Sequence, residues 1–207
     1  MINKTEMILI GYSGHAFVVY GIVSAAGKKV VAYCDVNEKE YNPFLLAYFG
    51  TETSEKALLA LKENDFFIAI GDNNTRNKIY DQLAQYNIKP VNVIHPSSVI
   101  DTSVTIAAHG IMIAAGVIIN PLVKIGNGAI CNTGSIIEHE CVVGDFAHIG
   151  PGAVICGNVK IGARTFIGAH AVIKQGINVG KNAMIGAGAV VVKDVPDNVT
   201  VIGVPAK

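Results

Sequence analysis

The sequence predicts an α/β domain built on a small doubly wound parallel sheet, followed by a parallel β-helix of short coils. Three observations carry this. The first 91 residues alternate strand-like and helix-like stretches, with glycine and small polar residues at the strand ends. From residue 125 onward apolar residues recur every six positions without a break. An α-helix repeats its apolar positions about every 3.6 residues and a strand every two, so a period of six points to a solenoid. Finally, the hydrophobic fraction is 51%, yet no apolar run reaches the roughly 18–20 residues of a membrane helix. The apolar residues are spread at short intervals, as buried strands require.

The elements of the first half follow in order. The start, MINKTEMILIGYSGHA, has one lysine before a short apolar run and a glycine loop, and reads as a first strand rather than a signal peptide. Met7 to Ile10 form that strand, and Gly11 and Gly14 flank Ser13 in the turn. AFVVYGIVSAAG has helical length and stops at Gly27. KVVAYCD is a second strand ending at Asp35, DFFIAIGDN a further strand ending near Gly71, and NTRNKIYDQLAQYN a helix. Such sheets bind ligands at the carboxyl ends of their strands. Here those ends carry Ser13, Gly14, His15, Asp35, Asn37, Gly71, Asp72, Asn73 and Asn74. The run Gly11-Tyr12-Ser13-Gly14-His15-Ala16 breaks the GxGxxG fingerprint, which argues against a nicotinamide cofactor. Backbone N–H groups in a glycine turn still suit a nucleotide or nucleotide-sugar phosphate. The competing reading is a tight turn with no ligand.

The second half is the repeat. Ile125, Cys131, Ile137, Val143, Ile149 and Ile155 begin a series that runs to Val191, and mostly small residues from Ala129 to Ala189 follow four places later. Each hexad supplies one short strand and one turn, and three hexads close a coil of 18 residues. Glycine directly follows the large residue at 126, 144, 150, 162, 168, 180 and 186, where it is expected to permit the turn dihedrals. Upstream, Ile94, Ile100, Ile106, Met112 and Ile118 keep the period, and a seven-residue step to Ile125 places one inserted residue near INPLVK. The solenoid is expected from about residue 94 to 201, in five to six coils.

Charge and titratable residues bound the chemistry. Lysine plus arginine equals aspartate plus glutamate, 16 each, so the chain carries no electrostatic footprint for nucleic acid or anionic membrane. Cys34, Cys131, Cys141 and Cys156 show no CxxC pair or metal spacing, and read as small buried thiols of a cytoplasmic protein. Residues 18 apart should stack. His139 then lies below Gly157 and Gln175, a column that is not core filler, and it is flanked by Glu138 and Glu140. An imidazole beside a carboxylate suits a general base with its orienter, and the sequence leaves open which glutamate serves. His148 shares a column with Ile130, Phe166 and Met184 and reads as buried and satisfied. His170 sits among Gly134, Gly152 and Gly188 as a solvated turn residue; His95 is structural, and His109 is given no role. His139, His148 and His170 never share a column, so no metal site is expected.

CNTGSIIEHECVVGDFAHIGPGA, GNVKIG and the ending VIGVPAK resemble the hexapeptide sugar acyltransferases. With GYSGHA, FFIAIGDNNTRNKIY and VNVIHPSSVI, nearly the whole chain resembles the two-domain nucleotide-amino-sugar N-acetyltransferases of the bacillosamine and perosamine type, grouped with sialic-acid O-acetyltransferase relatives. The resemblance implies a Rossmann-like sugar-nucleotide-binding domain over residues 1–91 and a left-handed β-helix acetyltransferase domain over 92–207. It implies a homotrimer with acetyl-CoA in the groove between solenoids, no metal, and a UDP- or dTDP-linked amino sugar as acceptor. By the family motif His139 matches the catalytic histidine, Glu140 the supporting acid and Asn132 the asparagine near the site. His148, Ala169 and Ala187 match the cofactor contacts, and Ser13, Gly14, His15, Asp35, Asn37, Gly71 and Asn74 the sugar-nucleotide contacts. Residues 38–64 depart from the compact bacillosamine-type version as a longer segment near a strand end, where loops set the substrate. A hydroxyl acceptor, such as a sialic acid, and a silent nucleotide-sugar-binding trimer are the rival readings.

Overall fold

In the computed structural model, which describes residues 6–207, the first apolar run is β1 (Glu6–Ile10). Residues 1–5, part of the stretch expected to be a first strand rather than a signal peptide, lie outside the described residues. β1 pairs in parallel with β2 (Lys29–Cys34) on one side and β4 (Asp65–Ile68) on the other, and β3 (Ala47–Tyr48) lies beyond β2 at the edge. Side chains alternate across this sheet. Met7 and Leu9 pack with α1 (Gly14–Ala25), whereas Ile8 and Ile10 pack with α2 (Glu55–Glu63) and α3 (Asn73–Ala84). Helices on both faces make the sheet doubly wound, as the alternation predicted.

The segment 38–64 is not a long loop. It contains β3 and α2, and α2 starts where Ser54 Oγ accepts the Ala57 N–H at 3.3 Å. That cap, with Ala57 and Leu61 buried four apart, makes SEKALLALKE helical.

From Val93 the chain winds through eighteen two-residue strands, β5 (Val93–Ile94) to β22 (Thr200–Val201). They stack as three parallel sheets of seven, six and five strands, which makes six coils of a left-handed β-helix. The second residue of each strand points inward. Ile149, Ile167 and Ile185 form one such stack, each 0% exposed. Fully burying a side chain of this size contributes about 1.5–3 kcal/mol, so each added coil strengthens one continuous core.

Two expectations need correction. From Met112 to Val191 partners are 18 residues apart, as in Met112↔Ile130, and the last coil is two residues shorter, with Ile185↔Val201 and Val179↔Val195 16 apart. Earlier partners are 19 apart: Ile94↔Ile113, Ile100↔Ile119 and Ile106↔Ile125. The inserted residue therefore lies between Ile106 and Ile113, not near INPLVK. The apolar pairs Met112-Ile113 and Ile118-Ile119 disguise this, since either member can seem to continue the period. Ile119 is the buried one at 1%, against 37% for Ile118. The glycines that follow the inward residues also serve a different purpose. The left-handed conformation falls instead on every sixth residue from Gly116 to Gly188, and Leu122, Glu140, Phe146, Asn158, Arg164, His170 and Asn182 adopt it without being glycine. Glycine is needed at a position such as Gly144 because a Cβ there would lie 2.7 Å from the Ala163 nitrogen of the next coil.

The two halves share one core. Ala16, Val19, Ile22 and Val23 of α1 cluster with Val93, Ile111 and the solenoid interior. Among the described residues no helix is long and apolar enough to cross a membrane.

Candidate active site

Asp35, at the end of β2, organises the glycine turn. Its carboxylate accepts the Tyr12 N–H at 2.9 Å and the Val36 N–H at 2.7 Å, and the Lys39 ammonium lies 3.0 Å away. Ser13 and Asp35 line a cleft of about 390 Å³ with Lys39, Glu52, Thr75 and Lys78. Two lysines on its wall suit a phosphate-bearing ligand. Gly71 and Asn74 line a separate cleft of about 310 Å³, between the start of α3 and Arg164, Phe166, Asn182 and Met184 of the solenoid. Gly14 is exposed at the start of α1, and Asn37 is exposed and lines neither cleft. His15 sits deeper, its ring 6.0 Å from that of His148. Its Nε2 is buried without a hydrogen-bond partner among the described residues, and burial, with help from Arg76, lowers its pKa to about 4.

His148 stacks with Ile130, Phe166 and Met184 as the spacing predicted. The column faces outward on the seven-stranded sheet, and the first domain covers the histidine there, leaving it 5% exposed. Nδ1 lies 3.3 Å from the Gly71 carbonyl and Nε2 lies 3.1 Å from Asn132 Nδ2. Burial first, then the Arg76 charge, lowers its pKa to about 3, so the ring is neutral. A carbonyl only accepts, so Nδ1 carries the proton and Nε2 is the acceptor. Asn132 agrees, because its Oδ1 is used by the Thr133 N–H at 2.8 Å.

His139 and Glu140 form the turn after β12 (Ile136–Ile137). Glu140 adopts φ +60°, and this left-handed residue swings its carboxylate back, placing Oε2 3.1 Å from His139 Nδ1. Of the two flanking acids, Glu140 is the one on the ring. The side chains are 49% and 58% exposed, and the imidazole lies over Gly157 of the next coil, as the stacking predicted. Ala169 and Ala187 lie on a different edge, the one continuing the turn beside Asn132, where Gly188 N–H bonds Ala169 O at 2.8 Å. Within one chain, then, Asn132 and His148 flank one edge of the six-stranded face, and His139 and Glu140 stand on the other. At about 3.3 Å per residue the five residues between these corners span roughly 16 Å.

The sequence reading missed Arg76. It is 1% exposed and spends all five donors: Nε on Gly128 O at 2.9 Å, Nη1 on Ile70 O and Gly71 O at 2.9 and 3.0 Å, and Nη2 on Asn73 Oδ1 and Phe146 O at 2.8 and 2.9 Å. Asn73 in turn donates to Arg164 O and Thr165 O. The signal was the helical period: Asn73, Arg76, Ile79 and Leu83 form the buried stripe of α3. Burial drives the Cys34 and Cys131 thiols up to about 12 and the Cys141 thiol to about 11, which leaves them poor nucleophiles. Among the described residues no group of three or more His, Cys, Asp or Glu is placed to hold a metal ion.

The profile of the PglD N-terminal domain matches residues 6–83, and those of the bacterial transferase hexapeptide (six repeats) and the hexapeptide repeat of succinyl-transferase match 140–175 and 158–193. A single-histidine variant of perosamine N-acetyltransferase from Caulobacter crescentus, solved with CoA and GDP-perosamine, is 37% identical, with 100% of this chain and 97% of that one covered and a TM-score of 0.90. The acetyltransferase domain of PglB from Neisseria gonorrhoeae, in complex with acetyl coenzyme A, is 31% identical over 99% of both chains, with a TM-score of 0.89. WeeI from Acinetobacter baumannii is 27% identical, covering 98% of this chain and 99% of that one, with a TM-score of 0.86. The chain therefore belongs to the two-domain nucleotide-amino-sugar acetyltransferases, acetyl-CoA-dependent enzymes built on hexapeptide repeats.

Proposed function

We propose that this enzyme transfers the acetyl group of acetyl-CoA to the amine of a nucleotide-linked amino sugar, with His139 as general base. The observation that carries the role of His139 is its Nδ1–Glu140 contact of 3.1 Å in the turn after β12. A carboxylate on Nδ1 leaves Nε2 as the basic nitrogen. The sugar amine attacks the thioester carbonyl, and His139 takes the amine proton. The C–S bond then breaks, and the CoA thiolate leaves with that proton. A nearby amide N–H, for which Asn132 is suited, would steady the oxyanion. No acyl-enzyme is needed. Residues 1–91 serve to hold the sugar nucleotide, and 92–207 to carry out the transfer.

Assembly supports this reading. The outward column of the six-stranded face is Val99, Ile118, Ile136, Val154, Val172 and Val190, all β-branched and apolar. Val99 is 64% exposed. The five-stranded face instead shows Lys124, Lys160 and Asn178, and the first domain covers the seven-stranded face at His148. Three copies that turn this apolar face toward a common axis bring one corner of each chain beside the opposite corner of its neighbour. His139 and Glu140 of one copy then approach Asn132, His148 and Ala169 of the next, which closes the gap left within one chain.

The decisive assay follows CoA thiol release with a panel of amino-sugar nucleotides. The panel carries guanosine, uridine and thymidine diphosphates, since the Caulobacter relative was solved with GDP-perosamine. Release with an amine acceptor and not with its hydroxyl counterpart is expected. Release with hydroxyl acceptors alone would mean O-acetylation, and none with any acceptor would leave a binding scaffold.

A further inference from the structure

Arg76 has a cost that stapling two domains does not explain by itself. A guanidinium removed from water is expensive, and among the described residues no carboxylate bonds to this one; burial draws its pKa down to about 9. An apolar side chain would join α3 to the solenoid at less expense. What only a cation with a planar fork supplies is the orientation of several carbonyls at once. One of those carbonyls, Gly71 O, receives both Arg76 Nη1 at 3.0 Å and His148 Nδ1 at 3.3 Å. A carbonyl has two lone pairs, so it can accept both bonds. The chain of contacts then runs Arg76 to Gly71 O, to Nδ1–H of His148, and from Nε2 to the Asn132 amide.

We propose that Arg76 is a positioning residue: by holding the Gly71 carbonyl against Nδ1 it fixes His148 as the neutral Nδ1–H tautomer, and so fixes the direction in which Asn132 presents its amide. The proposal rests on the reading that Asn132 and His148 belong to the transfer site. If His148 carried its proton on Nε2, two donors would face each other across the 3.1 Å to Asn132 Nδ2. The amide would have to flip, and its Oδ1 would leave the Thr133 N–H. With the tautomer fixed, Asn132 keeps one N–H on His148 and has a second to offer an acyl oxygen. The titratable groups acting on His148 are Arg76 and His15; His15 is itself held neutral by burial and Arg76. Asp72, which caps α3, acts on Arg76 and favours its charge. Local sequence gives no hint of this, because Arg76 and Asn132 lie in different domains.

The test uses the full chain labelled with ¹⁵N-histidine, with the His148 resonances assigned by their loss in His148→Gln. At pH 7 the unsubstituted protein should show a neutral His148 ring protonated on Nδ1. A ring protonated on Nε2, or a cationic ring, overturns the proposal whatever the variants do. Arg76→Lys keeps the charge but cannot span the same carbonyls. In it the His148 signals should move toward a mixture of tautomers, and kcat should fall about 10- to 100-fold, the loss that a small misplacement causes. Arg76→Met should show the same spectral change. If either variant stays folded with its tautomer altered and turnover intact, the positioning role is overturned. If either folded variant keeps the Nδ1–H tautomer, or if both variants unfold, Arg76 is a structural staple and the positioning role is overturned. Failure of the acetyltransferase reading is separate: it would appear as no thiol release from the unsubstituted enzyme, with the tautomer result untouched.

Discussion

Replacing Gly157 by alanine tests the catalytic reading without touching a catalytic side chain. The imidazole of His139 lies over Gly157, and a methyl built there would come within 2.5 Å of Cε1 and Nε2. Carbon atoms rest about 3.5–4.0 Å apart, so the ring has to retreat by roughly 1 Å. It can do so cheaply, since the His139 side chain is 49% exposed and the far end of a side chain yields more easily than backbone. Gly157 is not in the left-handed region, so alanine suits its backbone. Stability should therefore stay within about 1 kcal/mol, with the entropic gain of alanine partly offsetting the crowding. Turnover should not survive as well. A shift of about 1 Å in a reacting group costs on the order of a hundredfold, and this shift also strains the 3.1 Å contact with Glu140. Thiol release measured at saturating substrates, with melting followed in parallel, gives both numbers. Gly157→Ala with unchanged kcat and an intact fold would refute the argument that His139 acts from the position seen here.

His139→Ala should lower kcat by about 10² to 10⁴ while calorimetry still shows both substrates bound. Glu140→Gly should slow the enzyme less and raise its melting temperature, because a non-glycine residue at φ +60° costs about 1–2 kcal/mol; a variant that is both faster and more stable would contradict the orienting role. Val154→Glu places a charge in the middle of the apolar column and should reduce the particle seen by light scattering to a single chain. Asp35→Ala should weaken nucleotide-sugar binding and spare acetyl-CoA, but it should also cost stability, roughly 1–3 kcal/mol, because two backbone N–H groups lose their acceptor. Acid should destabilise the fold. His15 and His148 titrate at about 4 and 3 when folded, below their ordinary 6.5, so the unfolded chain binds protons that the folded chain refuses. Their contribution is whole above pH 6.5 and falls by about 2 kcal/mol per histidine between pH 7 and 5; a denaturant midpoint that is flat over this range would count against their buried neutral state.

How far the sequence could be read depended on how local each signal was. The solenoid from Ile125 to Val191 was legible because one inward residue per hexad repeats there without exception. The register before it was misread because Met112-Ile113 and Ile118-Ile119 offer two apolar candidates each, and only stacking decides between them. The helix α2 is written in Ser54, its cap, and in the Ala57–Leu61 spacing of its buried face. Glu140 was separable from Glu138 only once its left-handed backbone was known. The placement of His148 under the first domain, and of Arg76 behind it, depends on contacts between residues 52 to 77 positions apart, which no local pattern encodes.

The shared core of the two halves bears on how such an enzyme changes its substrate in evolution. Val93 and Ile111 of the first two coils pack in one cluster with Met7, Leu9 and Val19 of the first domain, and Arg76 and Asn73 tie the same joint with hydrogen bonds. Swinging the domains apart would expose that apolar surface to water and strand a buried cation. The slot between Gly71 and Met184 thus has a width set by the frame rather than by a hinge. If this slot takes the sugar, as the proposed function has it, a lineage taking up a bulkier or differently substituted sugar is expected to do so by exchanging wall residues such as Asn74, Asn182 or Met184, one at a time, while the joint itself stays unchanged.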